Sequence, residues 1–150
     1  MVEQKYIVFF VDNERYALPI ESVERILPEM SVTSVPKTPK VLLGVFDLRG
    51  ETLPALDLRR RFDLEEHEGL SNYIVVESSD SKCAWRVDKV DGIVSTTPGQ
   101  REAPPPNMQQ EDDPFVAGIL QTDEKLVVLL DPEYVVPKAL RKKVKQLAAA

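Results

Sequence analysis

"YIVFFVDNERYALPIESVERI", Tyr6–Ile26, and "YIVVESSDSKCAWRVDKVDGI", Tyr73–Ile93, lie over one another without a gap. Tyr6 meets Tyr73, Ile7 meets Ile74, Val8 meets Val75, Ala17 meets Ala84, Val23 meets Val90 and Ile26 meets Ile93. Ile20/Val87, Glu21/Asp88 and Glu24/Asp91 are conservative pairs. A second stretch repeats as well. "GVFDLRGETLPALD", Gly44–Asp57, lies over "GILQTDEKLVVLLD", Gly118–Asp131, with the same internal spacing and a larger offset that fits a longer loop in the second copy. The reading is two copies of one small β unit. Units of this size are marginal alone, so the copies are expected to share an apolar seam and fold as one body.

Working outward, strand patterns dominate. "YIVFFV" and "RYALPI" flank the hairpin loop "DNE", and "VLLGVFDL" and "ETLPALDL" flank Arg49–Gly50. "SVERIL" (22–27) suits either a strand or a helical turn. "YIVVES", "KCAWRV" and "VDGIVS" are short strands, and the proline-rich stretch 97–114 is a loop. Asp57 and Asp131, kept in both copies, suit helix caps. A helix is expected over about 132–147, with Pro137 able to divide it and Leu140, Val144 and Leu147 on one face. The division expected from the repeat is one unit over about 6–62 and a second over about 73–131, with strands free to cross between them.

Composition bounds the function. The chain has 150 residues, 43% apolar and 29% charged, with a formal charge of −6. An acidic chain repels phosphate backbones, which argues against general nucleic-acid binding. Cys83 is the one cysteine, so no internal disulfide forms, as suits a reducing cytoplasm. The N-terminal apolar run is broken by Asp12 and reads as a strand rather than a signal peptide. No apolar stretch reaches the roughly 20 residues that span a bilayer.

Chemistry is sparse. The single histidine, His67, sits in the polar stretch "EEHEG", and one His with one Cys cannot assemble a usual zinc set. Cys83 lies in a strand pattern with no histidine nearby, which suits a core residue better than a nucleophile. No phosphate-loop, dinucleotide, nucleophile-elbow or zincin motif is present. Of Arg59–Arg61, two are expected to face solvent. The basic run Lys138–Lys145 suits favourable charge at a helix C-terminus. These features describe a binding module with no metal and no cofactor.

Arg49 and Gly50 stand out within this frame. The second copy has Thr122-Asp123-Glu124-Lys125 where the first has Leu48-Arg49-Gly50-Glu51. A hairpin that closes in both copies does not require Arg-Gly. Arg49 therefore serves something particular to copy one, either a polar lock against the neighbouring unit or contact with a partner protein.

The run "PKVLLGVFDLRGETLPALDLRRRF" (39–62) resembles the signature of the CheW-like domain, a proline followed by G-V-x-N-L-R-G, a hydrophobic-Pro-hydrophobic stretch and D-L-R. The opening hairpin with "VERI", "CAWRVDKVDGIV" and the ending "GILQTDEKLVVLLD" are similar to the family's other segments, so the resemblance covers about residues 4–140. It implies a mainly β fold of two SH3-like five-stranded barrels packed together, with short helices and a C-terminal helix. It implies a non-catalytic adaptor that couples the cytoplasmic tips of methyl-accepting chemoreceptors to the regulatory domain of a CheA-type histidine kinase, without nucleic acid and at the membrane only through receptors. An array outside chemotaxis is the close alternative, and an anion- or nucleic-acid-binding barrel using Arg49 and Arg59–Arg61 is the remote one. By position, Val23, Arg25, Ile26, Gly44, Arg49 and Gly50 are the implied protein-binding residues, with Ile93 as the equivalent apolar position in the second unit. Three positions depart from the pattern. Arg25 stands where the family has glutamate, Asp47 where it has asparagine, and Ala84 where it has glycine.

Overall fold

The computed structural model describes residues 3–66, 69–79, 81–106, 113–123 and 125–148. His67 and Glu124 lie outside them. Among the described residues, eleven strands make two sheets. The strands are β1 (Gln4–Val11), β2 (Glu14–Pro19), β3 (Val23–Leu27), β4 (Leu42–Leu48), β5 (Glu51–Asp57), β6 (Asn72–Glu77), β7 (Lys82–Val87), β8 (Lys89–Thr96), β9 (Arg101–Glu102), β10 (Val116–Thr122) and β11 (Lys125–Leu130). One sheet runs β8-β1-β2-β11-β10-β9 and the other β3-β6-β7-β5-β4. "SVERIL" is a strand from Val23 onward, entered through a short 3-10 turn at Ile20–Ser22.

Neither sheet is one contiguous segment, and strands cross between the units expected over about 6–62 and 73–131. The opening hairpin of each repeat sits in the sheet made by the rest of the other. The β1–β2 hairpin joins β8–β11, and the β6–β7 hairpin joins β3–β5. The registers match across the repeat. Ile7 pairs with Ile93 where Ile74 pairs with Ile26. Ala17 pairs with Leu129 in a parallel ladder where Ala84 pairs with Ala55. The reason is burial on both sides. β1 turns Tyr6 and Val8 into one barrel, and Ile7, Phe9 and Val11 into the seam between the sheets. A strand buried on both faces reads as an unbroken apolar run, as "YIVFFV" does.

Among the described residues, each barrel interior has a cluster of six buried residues, and the two sets correspond one to one. Tyr6, Val8, Ala17, Leu120, Val127 and Leu129 fill the first, and Tyr73, Val75, Ala84, Phe46, Leu53 and Ala55 the second. The seam is larger and takes residues from both sheets, including Phe9, Leu18, Leu56, Ile74, Trp85 and Leu130. Most of the apolar burial is therefore common property, which makes the two barrels one cooperative body.

Both barrels close in the same way. After β3, Thr33 forms a two-way backbone bridge to Val45 on β4, with N–O distances of 2.8 and 2.9 Å. After β8, a 3-10 turn at Pro98–Gln100 leads into β9, where Glu102 pairs with Ile119 on β10. β9 thus counts as a sixth strand only because that turn interrupts its continuity with β8. The closing carbonyl passes over the glycine shared by the repeats. A Cβ on Gly44 would overlap the Thr33 carbonyl oxygen, and one on Gly118 would lie 2.7 Å from that of Glu102.

Each repeat ends on an aspartate cap. Asp57 accepts from Arg59 N at 2.9 Å to start α1 (Leu58–Arg61), and Asp131 accepts from Glu133 N at 2.9 Å to start α2 (Pro132–Val135). Val136 is extended because proline follows it, so the helix expected over 132–147 is two pieces, with α3 at Lys138–Ala148. Leu140 and Val144 seat α3 in the seam. Among the described residues, no helix is long and apolar enough to cross a membrane.

Substitution of Gly44 by alanine is expected to lower unfolding free energy by roughly 3 kcal/mol or more, from strained backbone at φ +150° plus the clash. Gly50→Ala, at φ +87° with open space around it, is expected to cost about 1 kcal/mol. Urea denaturation of the two variants checks this ordering.

Candidate functional site

The β4–β5 hairpin turns on two residues, Arg49 (φ +52°) and Gly50 (φ +87°), between the paired Leu48 and Glu51. Two positive φ values in a two-residue loop match the twist of the flanking strands. Asp123, the counterpart of Arg49, also has positive φ (38°), with a different side chain. Arginine is a poor residue for this conformation, which disfavours a Cβ by about 1 kcal/mol or more. Gly50 N donates to Asp47 Oδ2 at 3.4 Å, so Asp47 serves the turn rather than pairing with Arg49. Arg49 is exposed and has no ion pair or hydrogen bond among the described residues. It is not a lock between the barrels.

A braced frame surrounds it. β3 carries a bulge between Val23 and Arg25 that leaves Glu24 as the unpaired residue, a device that re-aims a side chain. Lys82 Nζ on β7 reaches Glu24 Oε2 at 2.9 Å and Glu51 Oε1 at 2.7 Å. Its hydrogen bonds, first to Glu51 and then to Glu24, hold the ammonium above its usual range. One lysine thereby ties the hairpin tip to β3. Arg25 leans on the same cluster, 3.6 Å from Glu24 Oε1. Exposed Ile26, at 43%, adds an apolar side chain beside it on β3. Val23 is half-buried against the seam.

The other residues singled out from sequence lie elsewhere. Ile93 is 61% exposed on β8, at the matching end of the other barrel. That end has its own version of the brace. Asp91, the bulged residue of β8, meets Arg15 at 3.6 Å, and a 280 Å³ depression there is lined by Arg15, Asp91, Ile93, Asp123 and Lys125. Gly44 is buried under the Thr33 carbonyl, where a Cβ has no room.

Glu24, Lys82 and Glu51 were not marked by the sequence motifs. A signal was present, since both repeats keep an acid at 24/91 and a base at 82/15.

Arg59, Arg60 and Arg61 are half-buried and engaged, contrary to the expectation that two face solvent. Arg59 makes a two-pronged bond to Asp88 at 2.7 and 2.6 Å. Arg60 donates to Lys40 O at 2.9 Å and to Glu66 Oε1 at 3.0 Å. Arg61 donates to Val135 O at 2.6 Å and to Asp113 at 2.6 and 2.8 Å, with its guanidinium 4.6 Å from the Phe115 ring centroid. They tie α1 to α2 and to neighbouring loops and are committed to partners within the chain.

Burial pushes the Cys83 thiol up to about 12. A thiolate is the reacting form, so Cys83 is expected to resist an aromatic disulfide reagent at pH 8 in the folded protein and to react fully in urea. Rapid labelling without denaturant contradicts this placement.

The comparisons agree with this architecture. The family model for the CheW-like domain matches residues 5–139. The chemotaxis protein CheW of Bacillus subtilis is 28% identical over 137 residues, covering 90% of this chain and 88% of its own. That of Helicobacter pylori is 29% identical over 136 residues, covering 89% and 82%. The crystal structure of the scaffolding protein TtCheW from Thermoanaerobacter tengcongensis superposes with a TM-score of 0.83 at 30% identity, covering 91% of this chain and 94% of that one. With its paired SH3-like barrels and a match along nearly its whole length, this chain belongs to the CheW-like domain family.

Proposed function

We propose that this protein is a non-catalytic scaffold of chemotaxis signalling that couples chemoreceptor cytoplasmic tips to the regulatory domain of a CheA-type histidine kinase in the cytoplasm. The observation that carries the reading is the family match over residues 5–139, among relatives named as chemotaxis and scaffolding proteins. The geometry supports it. A scaffold needs surfaces held rigid without being consumed by its own fold, and the turn at Arg49–Gly50 meets that description.

In this reading Arg49, Gly50, Arg25, Ile26 and Val23 belong to one contact surface, at the end of the barrel made by β3–β7. Ile93 belongs to a second, at the matching end of the other barrel. Gly44 contributes only by keeping the first barrel closed. Arg25, in place of the family's glutamate, gives the first surface a cation where relatives offer a carboxylate. Its partner residue should therefore be acidic or apolar rather than basic.

The test is a pull-down and titration with the kinase regulatory domain and the receptor tip from the same organism. Arg49→Asn keeps a residue that tolerates positive φ while removing the guanidinium, so stability is expected to hold within about 0.5 kcal/mol. Binding is expected to fall at least about tenfold, the effect of losing a central arginine anchor. Val23→Asp is expected to weaken binding as well. Full binding by both variants, or none by the unsubstituted protein, would overturn the reading.

A further inference from the structure

Helix α3 carries Lys138, Arg141, Lys142, Lys143 and Lys145 and no acidic residue, within a chain whose formal charge is −6. Leu140 and Val144 face the seam. At 3.6 residues per turn, Lys138, Lys142 and Lys145 fall together on the opposite face, and all three are exposed. None of the three has an ion pair or hydrogen bond among the described residues. Arg141 borders the stripe, fixed by a 3.4 Å bond from its Nε to Val136 O and by the Tyr134 ring, 5.2 Å from the guanidinium carbon. In the body, Arg15, Arg59, Arg60, Arg61, Lys82 and Arg86 each meet a carboxylate.

Helix stability does not account for this pattern. The macrodipole favours cations only in the last turn, which covers Lys145 and opposes Lys138 in the first. Lys138–Lys142 and Arg141–Lys145 are like-charge pairs at i,i+4, which destabilise a helix. Solubility does not account for it either, because each added cation lowers the net charge of an acidic chain. The stripe suits an external anion.

We infer that the outer face of α3 docks a short acidic polypeptide segment of a partner protein. From Lys138 to Lys145 the stripe spans about 10 Å, two turns of a helix. That length fits aspartates or glutamates three to four residues apart on a partner helix. A nucleic-acid duplex or an anionic bilayer extends far beyond the stripe. It would bring its charge within a Debye length, about 8 Å, of the acidic body around α3. A short segment touches the cations alone. The stripe shares no residue with the hairpin tip, so the inference does not rest on the coupling role proposed above.

The test uses the full chain and a fluorescent peptide of about 12 residues, with glutamates three to four residues apart as the partner's are expected to be. The unsubstituted protein is expected to bind it at low salt and to release it as salt rises. The triple variant Lys138→Gln, Lys142→Gln, Lys145→Gln is expected to bind at least about tenfold more weakly with an unchanged melting temperature, and the triple Lys→Arg variant to retain binding. Arg49→Asn is expected to bind the peptide normally, which keeps this result distinct from the kinase titration. Equal binding by the triple Gln variant, no binding by the unsubstituted protein, or stronger capture by phosphatidylserine vesicles or a DNA duplex would overturn the inference.

Discussion

The parallel ladder between the opening hairpin of one repeat and the last strand of the other is the constraint on which the structure depends. Ala17 lies against Leu129, and Ala84 against Ala55. The alanines, Ala17, Ala55 and Ala84, let these strands lie close over barrel interiors that each hold a cluster of six buried residues among the described ones. Because each hairpin is lent to the opposite sheet, β1 and β6 are buried on both faces and the seam is continuous from Phe9 to Trp85. Neither barrel can be taken away without stripping two strands from the other.

That exchange explains which side chains are free for other work. Closure rests on backbone, through the Thr33–Val45 and Glu102–Ile119 pairings above Gly44 and Gly118. Polar ties at Asp57, Asp131, Arg59 and Arg61 hold the helices and loops. The hairpin tips are therefore released from structural duty. One repeat places arginine there and the other aspartate, both at positive φ. The Lys82 brace holds the first tip in place without using Arg49.

Much of this was legible in the sequence, because a repeat converts chance patterns into paired ones. The shared Gly44/Gly118 and Asp57/Asp131, the hairpins and the seam all follow from it, and the LRG stretch indicates the family. The hairpin exchange was not legible. A contiguous barrel and an exchanged one satisfy the same local alternation, and what separates them is a ladder between residues more than a hundred apart, Ala17 and Leu129. Arg59–Arg61 misled for a related reason, since Asp88 and Asp113 lie far along the chain. Gly44 sits five residues from Arg49 and shares its motif, yet its reason is steric. No local pattern distinguishes a glycine needed under a carbonyl from one needed by a partner.

The most direct test of the exchanged fold is to produce residues 3–66 and 69–148 as separate chains and follow each by amide NMR, alone and mixed. The exchanged fold predicts that neither fragment holds a stable structure alone, since each lacks the hairpin that completes its sheet. On mixing they should form a one-to-one complex with the dispersed spectrum of the intact protein. A first fragment that folds by itself into a closed barrel, or two fragments that fail to associate, would contradict it.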